Sequence, residues 1–131
     1  MKKSQFILYL LLITLGVLVL LFKGAYIGPF SELIHNHGSN LSVSFSVYFI
    51  VILGLRSLPQ TRLLAVICAL LAVELFELTN GFGLMTNVYD PWDYLANALG
   101  IGLALMIDLL INRFSVRNTP NNAGIDEALE D

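Results

Sequence analysis

The stretch FILYLLLITLGVLVLLF, Phe6 to Phe22, is 17 residues long and carries no charge. A helix needs about 20 apolar residues, within about 17 to 25, to cross the hydrocarbon core of a bilayer. Three further apolar runs follow: Leu41 to Leu55, Leu63 to Leu78, and Tyr94 to Ile111. In lipid an open backbone has no partner for its N–H and C=O groups, so such runs must be helices. The expected fold is therefore all-α: an integral-membrane four-helix bundle with spans at about 6–22, 41–55, 63–79 and 94–111. The second and third runs are short and must borrow neighbours, Ser39 and Asn40 before one and Thr79 to Met85 after the other.

Composition agrees. The chain has 131 residues, of which 56% are hydrophobic and 13% charged. A soluble domain of this size has too little interior to hide so much apolar surface. The net charge of -3 is concentrated at one place: Asp126 to Asp131 hold four carboxylates, and the remainder is nearly balanced. No basic patch exists, so nucleic acid is not an expected partner. The single cysteine, Cys68, excludes an internal disulfide and a cysteine-based zinc site, and its apolar run predicts a small core residue. No cofactor and no metal motif is expected.

Basic residues orient the spans. Lys2 and Lys3 precede the first, Arg56 and Arg62 sit between the second and third, and Arg113 and Arg117 follow the fourth. Only Lys23, one of seven, falls on the other side. This bias predicts both termini in the cytoplasm, in a bacterial inner membrane, with outer loops at Lys23 to Asn40 and Thr79 to Asp93. The start Met1-Lys2-Lys3 resembles a signal-peptide n-region. The apolar stretch is longer than an h-region and no Ala-x-Ala site follows it, so retention of the first span is expected. Residues 1–114 then form the membrane domain, and 115–131 a disordered acidic cytoplasmic tail.

Polar residues in spans are costly and usually functional or paired. Here they gather at the outer end. Glu74 and Glu77 close the third span, while Asp90, Asp93 and Asn97 open the fourth. Asp93, Asn97, Gly100, Ala104 and Asp108 recur at steps of three and four, so they share a face. Ala96, Gly100 and Ala104 are small enough to let another helix approach closely. Spans three and four are expected to form an antiparallel hairpin in which Glu74 and Glu77 face Asp93 and Asn97. Toward the inner end only Asp108 stands out, with Arg113 close behind. His35 and His37 are read as loop histidines at the mouth of span two, and Trp92, Tyr89 and Tyr94 as an interfacial belt. Phe45, Tyr48 and Phe49 are packing residues, and Ser42 and Ser46 are suited to bonds between helices.

Three chemistries remain open for the outer cluster. It is a structural clasp, in which Asn97 donates to carboxylates; or a site for a hard cation such as Ca²⁺ or Mg²⁺; or a general acid/base pair. No nucleophile–base pair supports an enzyme.

The segment from Glu74 to Gly102 resembles the VanZ-like family of small bacterial membrane proteins. In that family a glutamate is followed three residues later by a glutamine, and the next span opens with Asp-x-x-x-Asn-x-x-Gly. Glu74, Glu77, Asp93, Asn97 and Gly100 match, with Asp90 on an upstream aspartate. Ser31 to Phe49 is similar to the family's entry to its preceding span. The resemblance covers about 110 residues, with its specific part in fewer than 30. Glu77 departs from the glutamine, and Asn80 and Asn87 stand where an arginine is usual. The acids would then be balanced by protonation, Lys23, a histidine or a bound cation. The resemblance implies an outward-facing site for a lipid-linked envelope precursor or an amphiphilic compound. The family's founding member is linked to glycopeptide-antibiotic resistance, a phenotype not carried over to this chain. The rival classes are a small transporter or channel subunit, which would need a homodimer, and a membrane-embedded enzyme acting on a lipid carrier.

Overall fold

The computed structural model describes residues 2–79 and 90–117. Among the described residues four helices make up the fold: α1 (Lys3–Phe22), α2 (Ser31–Gly54), α3 (Thr61–Leu78) and α4 (Pro91–Arg117), with a 3₁₀ turn at Lys23–Ala25. Three of them, α1, α2 and α4, are long and apolar enough to cross a membrane. The chain has the build of a multi-pass membrane protein. Asn80, Asn87 and Tyr89, and the tail beyond Arg117, lie outside the described residues.

The helices are longer than the apolar runs that seed them. α2 begins at Ser31, ten residues ahead of the expected Leu41, so His35 and His37 are helical rather than looped. The extension reads SELIHNHGSN, too polar for a hydropathy criterion. It is nevertheless a sound helix start, with Glu32 in the first turn, where a carboxylate offsets the unpaired N–H groups. α4 likewise starts three residues early. Pro91 occupies its first position, where the missing N–H costs nothing, and Asp90 Oδ1 accepts the backbone N–H of Trp92 at 3.0 Å. At its other end α4 runs through Ser115 to Arg117, residues expected in the tail. The turns before α2 and α3 each use a non-glycine residue in the left-handed region, Phe30 (φ 62°) and Gln60 (φ 55°).

α2 is the hub, packed against α4, α1 and α3, and most extensively against α4. α3 also packs on α4, but α4 does not turn its small-residue face chiefly toward α3. A side chain added at Gly100 would collide with the carbonyl oxygen of Leu41 on α2. Gly16 of α1 is a second close approach, set against Ser46 and Ser42. Lipid tails are as apolar as leucine, so burying leucine contributes little inside a bilayer. Close packing and bonds between helices hold the bundle instead.

The interior is apolar only in its middle. Phe49 meets Phe45, Tyr48 and Tyr9 at ring-centroid distances of 5.2, 5.3 and 5.3 Å. Ala65, Ala69 and Val73 of α3 and Ile101 and Ala104 of α4 complete this layer. α1 buries little, only Gln5, Tyr9 and Gly16, and most of its leucines are exposed, as befits a helix apolar all round. Cys68 is exposed on α3 and not a core residue. Ile67, Leu71 and Leu75 face outward with it, because lipid rewards them as well as a core would.

The start of α1 and the close of α4 meet, with Lys2 Nζ donating to the Ser115 carbonyl at 3.0 Å. The turn between α2 and α3 lies at the same, proximal, end. The α1–α2 connection and the start of α4 form the distal end. There Lys23 Nζ donates to the His35 carbonyl and to Ser39 Oγ, both at 2.9 Å. α3 runs between the two ends: Arg62 reaches the last part of α4, and Glu74 its first part.

Candidate functional site: a distal cleft and a proximal polar core

Extending α2 to Ser31 aligns Asn36, Asn40, Val43 and Val47 on one helical stripe, with Ser39 beside it. Opposite this stripe stand the last turns of α3 and the first turns of α4. They enclose a cavity of about 430 Å³. Its polar floor is Asn36, Ser39, Asn40, Glu77, Asp93 and Asn97. Its apolar wall includes Val43, Val47, Val73 and Phe76, with Leu20 arriving from α1. Of the five residues singled out from sequence, Glu77, Asp93 and Asn97 line the cleft.

The other two are placed differently, and the cluster divides into two bonded groups. Asn97 Oδ1 accepts the Ser44 hydroxyl at 3.0 Å, and the Glu74 carboxylate lies within reach of the Asn97 side chain. Glu74 Oε2 is buried without a partner among the described residues. Asp93 belongs to the other group; Glu77 lines the cleft together with Asp93 and Asn97, while Glu74 is not part of its lining. His37 Nδ1 donates to Asp93 Oδ1 at 2.9 Å, and His37 Nε2 lies 4.0 Å from Asp90 Oδ2. The imidazole sits between the two aspartates. His37, Asp90 and Asp93 also bring one ligand atom each within 4.8 Å of one another, the one such group of three among the described residues that a metal ion would fit. The small residues of α4 lie beneath the floor, with Ala96 and Gly100 buried and Ala104 fully so.

Ser42 and Ser46 behave unequally. Ser42 bonds carbonyls of its own helix, whereas Ser46 Oγ also reaches the Ile13 carbonyl of α1 at 3.5 Å. Ser44, the serine between them, makes the bond to Asn97 that the sequence did not point to.

A second polar centre occupies the proximal end. Asp108 is fully buried. Its Oδ1 accepts the hydroxyl of Tyr9 and, at 2.8 Å, Asn112 Nδ2. Its Oδ2 accepts Arg62 Nε at 2.6 Å and the Tyr48 hydroxyl at 3.3 Å. Gln5 Nε2 donates on to Asn112 Oδ1 at 3.2 Å. The partner is Arg62 and not Arg113, because five positions along a helix place Arg113 on another face, where it is exposed. Four helices contribute to this one carboxylate.

No protein-family model, curated protein or solved structure matches the chain.

Both centres are thus defined by their own geometry. The distal one is an acid- and amide-floored cleft with an apolar wall. The proximal one is a satisfied buried carboxylate that ties α1, α2, α3 and α4 together.

Proposed function

We propose that this protein is a VanZ-like protein of the bacterial inner membrane that binds an amphiphile in its distal cleft, facing the periplasm. The observation that carries the reading is the composition of that cleft. Hydrogen-bonding amides and two carboxylates lie at one side, and valines and a phenylalanine at the other. Such a surface suits a hydroxylated or amine-bearing head joined to an apolar chain. That is the chemistry of a lipid-linked envelope precursor or an amphiphilic compound. A preformed cleft of about this size is typical of small-ligand sites.

In this reading α3 also crosses the bilayer. Its 18 residues span about 27 Å at 1.5 Å per residue, close to the roughly 30 Å hydrocarbon core. Both termini are then cytoplasmic. Gathering Lys2, Arg56, Arg62 and Arg113 toward the proximal end, with Lys23 at the distal end, supports this orientation.

Trp92, the single tryptophan, is exposed in the first turn of α4 beside Asp93 and reports on the cleft mouth. Full-length protein in nanodiscs is titrated with a dodecyl glucosamine glycoside, and separately with dodecyl sulfate. The expected result is a saturable fluorescence change with the amine-bearing glycoside, weakened about tenfold (about 1.4 kcal/mol) in Glu77→Gln and Asn40→Leu. Equal responses to both amphiphiles, unaffected by either substitution, would refute cleft binding.

A further inference from the structure

We infer that the cavity at the proximal end is a binding site for a phosphate-type oxyanion, a phosphate monoester or diester, gripped by Arg56 and Arg62. This cavity is also about 430 Å³, within the usual range for small-ligand sites. It lies at the opposite end of the bundle from the distal cleft, and its lining has the opposite charge. Arg56, Arg62, Gln60, Gln5 and Asn112 contribute to it, with Asp108 at its base.

Arg62 is held and aimed. Its Nε donates to Asp108, which is itself fixed by Tyr9, Tyr48 and Asn112. One edge of the guanidinium is thereby committed. No described residue accepts from its two terminal nitrogens, and the side chain is 42% exposed. A planar guanidinium anchored by one N–H presents the rest as a fixed fork, the geometry that matches phosphate oxygens. Its ordering is met by the fold before any ligand arrives, which lowers the cost of binding.

Arg56 supplies a second guanidinium, and this one has no partner among the described residues. Two guanidinium groups against the single Asp108 carboxylate leave the cavity cationic. Asp108 does not compete for the ligand, since both its oxygens are occupied by donors. Gln60 adds a neutral amide at the start of α3, whose first turn has no side-chain cap, so the helix end favours an anion as well. Leu63 on the cavity wall is exposed and apolar. Water and lipid therefore both border the site, and the phosphate could belong to a soluble ion or to an inner-leaflet headgroup.

Arg56→Gln is the informative variant, because Arg56 is exposed and lies outside the Asp108 network, so its loss should leave the fold intact. Full-length protein and the variant are prepared in phosphatidylcholine nanodiscs, and thermal unfolding is followed against inorganic phosphate with chloride at equal ionic strength. In parallel, native mass spectrometry counts phosphatidylglycerol retained from mixed phosphatidylglycerol/phosphatidylcholine vesicles. Saturable stabilisation by phosphate, weakened about tenfold in Arg56→Gln, identifies a site open to soluble phosphate. No response to inorganic phosphate but phosphatidylglycerol retention that Arg56→Gln abolishes identifies a headgroup site. Wild type and Arg56→Gln behaving alike in both measurements overturns the proposal.

Discussion

Arg62 and Asp108 stand 46 positions apart and meet at 2.6 Å between Nε and Oδ2. The aspartate is fully buried while the arginine reaches the surface. The pair joins the first turn of α3 to the C-terminal half of α4, and the tyrosines of α1 and α2 close around it. A carboxylate is tolerated here because every lone pair direction has a donor.

Asp108→Ala should therefore be among the most damaging single substitutions. It strands two tyrosine hydroxyls, an asparagine amide and a guanidinium at once. Bonds between helices in lipid are worth about 0.6 kcal/mol on average and up to about 1.7, so the sum expected is roughly 2–4 kcal/mol. Tyr48→Phe removes only the 3.3 Å bond and should cost about 1 kcal/mol or less. Reversible unfolding in mixed micelles measures both. A Tyr48→Phe loss as large as that of Asp108→Ala would contradict the division of labour drawn from the geometry.

The glycines of α4 should separate sharply. An added methyl at Gly100 meets the Leu41 carbonyl, a backbone atom that cannot swing aside, while Gly102 faces open space. Gly100→Ala should cost about 1–3 kcal/mol by forcing α2 and α4 apart. Gly102→Ala should stay within about 0.5 kcal/mol. The two thermal midpoints, read side by side, decide whether α4 packs on α2 through this face.

His37 and Asp93 should be energetically coupled. His37→Ala deprives a buried aspartate of its donor and should cost about 1–3 kcal/mol. Asp93→Asn removes the charge that needs a counterpart, so the double variant should lose clearly less than the two single losses added together. Strict additivity in this cycle would mean that the imidazole is not what balances Asp93.

Topology is open to labelling. In a Cys68→Ala background, which should fold normally because Cys68 is exposed on α3, cysteines are introduced at Asn36 and Pro59, both exposed. A membrane-impermeant maleimide added to spheroplasts should modify position 36 and not position 59. Labelling of position 59 from the periplasm would reverse the proposed orientation.

Apolar run length follows directly from lipid solvation and the helical repeat from backbone geometry, and both are read along the chain in one dimension. They suffice to read an all-helical membrane chain, the number of its helices, and the helical face of α4 that carries Asp93, Asn97 and Gly100. Cleft residues Glu77, Asp93 and Asn97 are legible for the same reason, since acids and amides in such helices stand out against their surroundings. The polar first three turns of α2 are not, because hydropathy cannot separate a polar helix from a loop; Asn36, Ser39, Asn40 and the role of His37 are lost with them. Nor does any local pattern pair Arg62 with Asp108, or turn the small face of α4 toward Leu41. Those pairings depend on which helices become neighbours. That choice is made by the fit of Gly100 and Gly16 against α2 and by the need to satisfy one buried carboxylate from four helices, a condition that exists only once the helices are assembled.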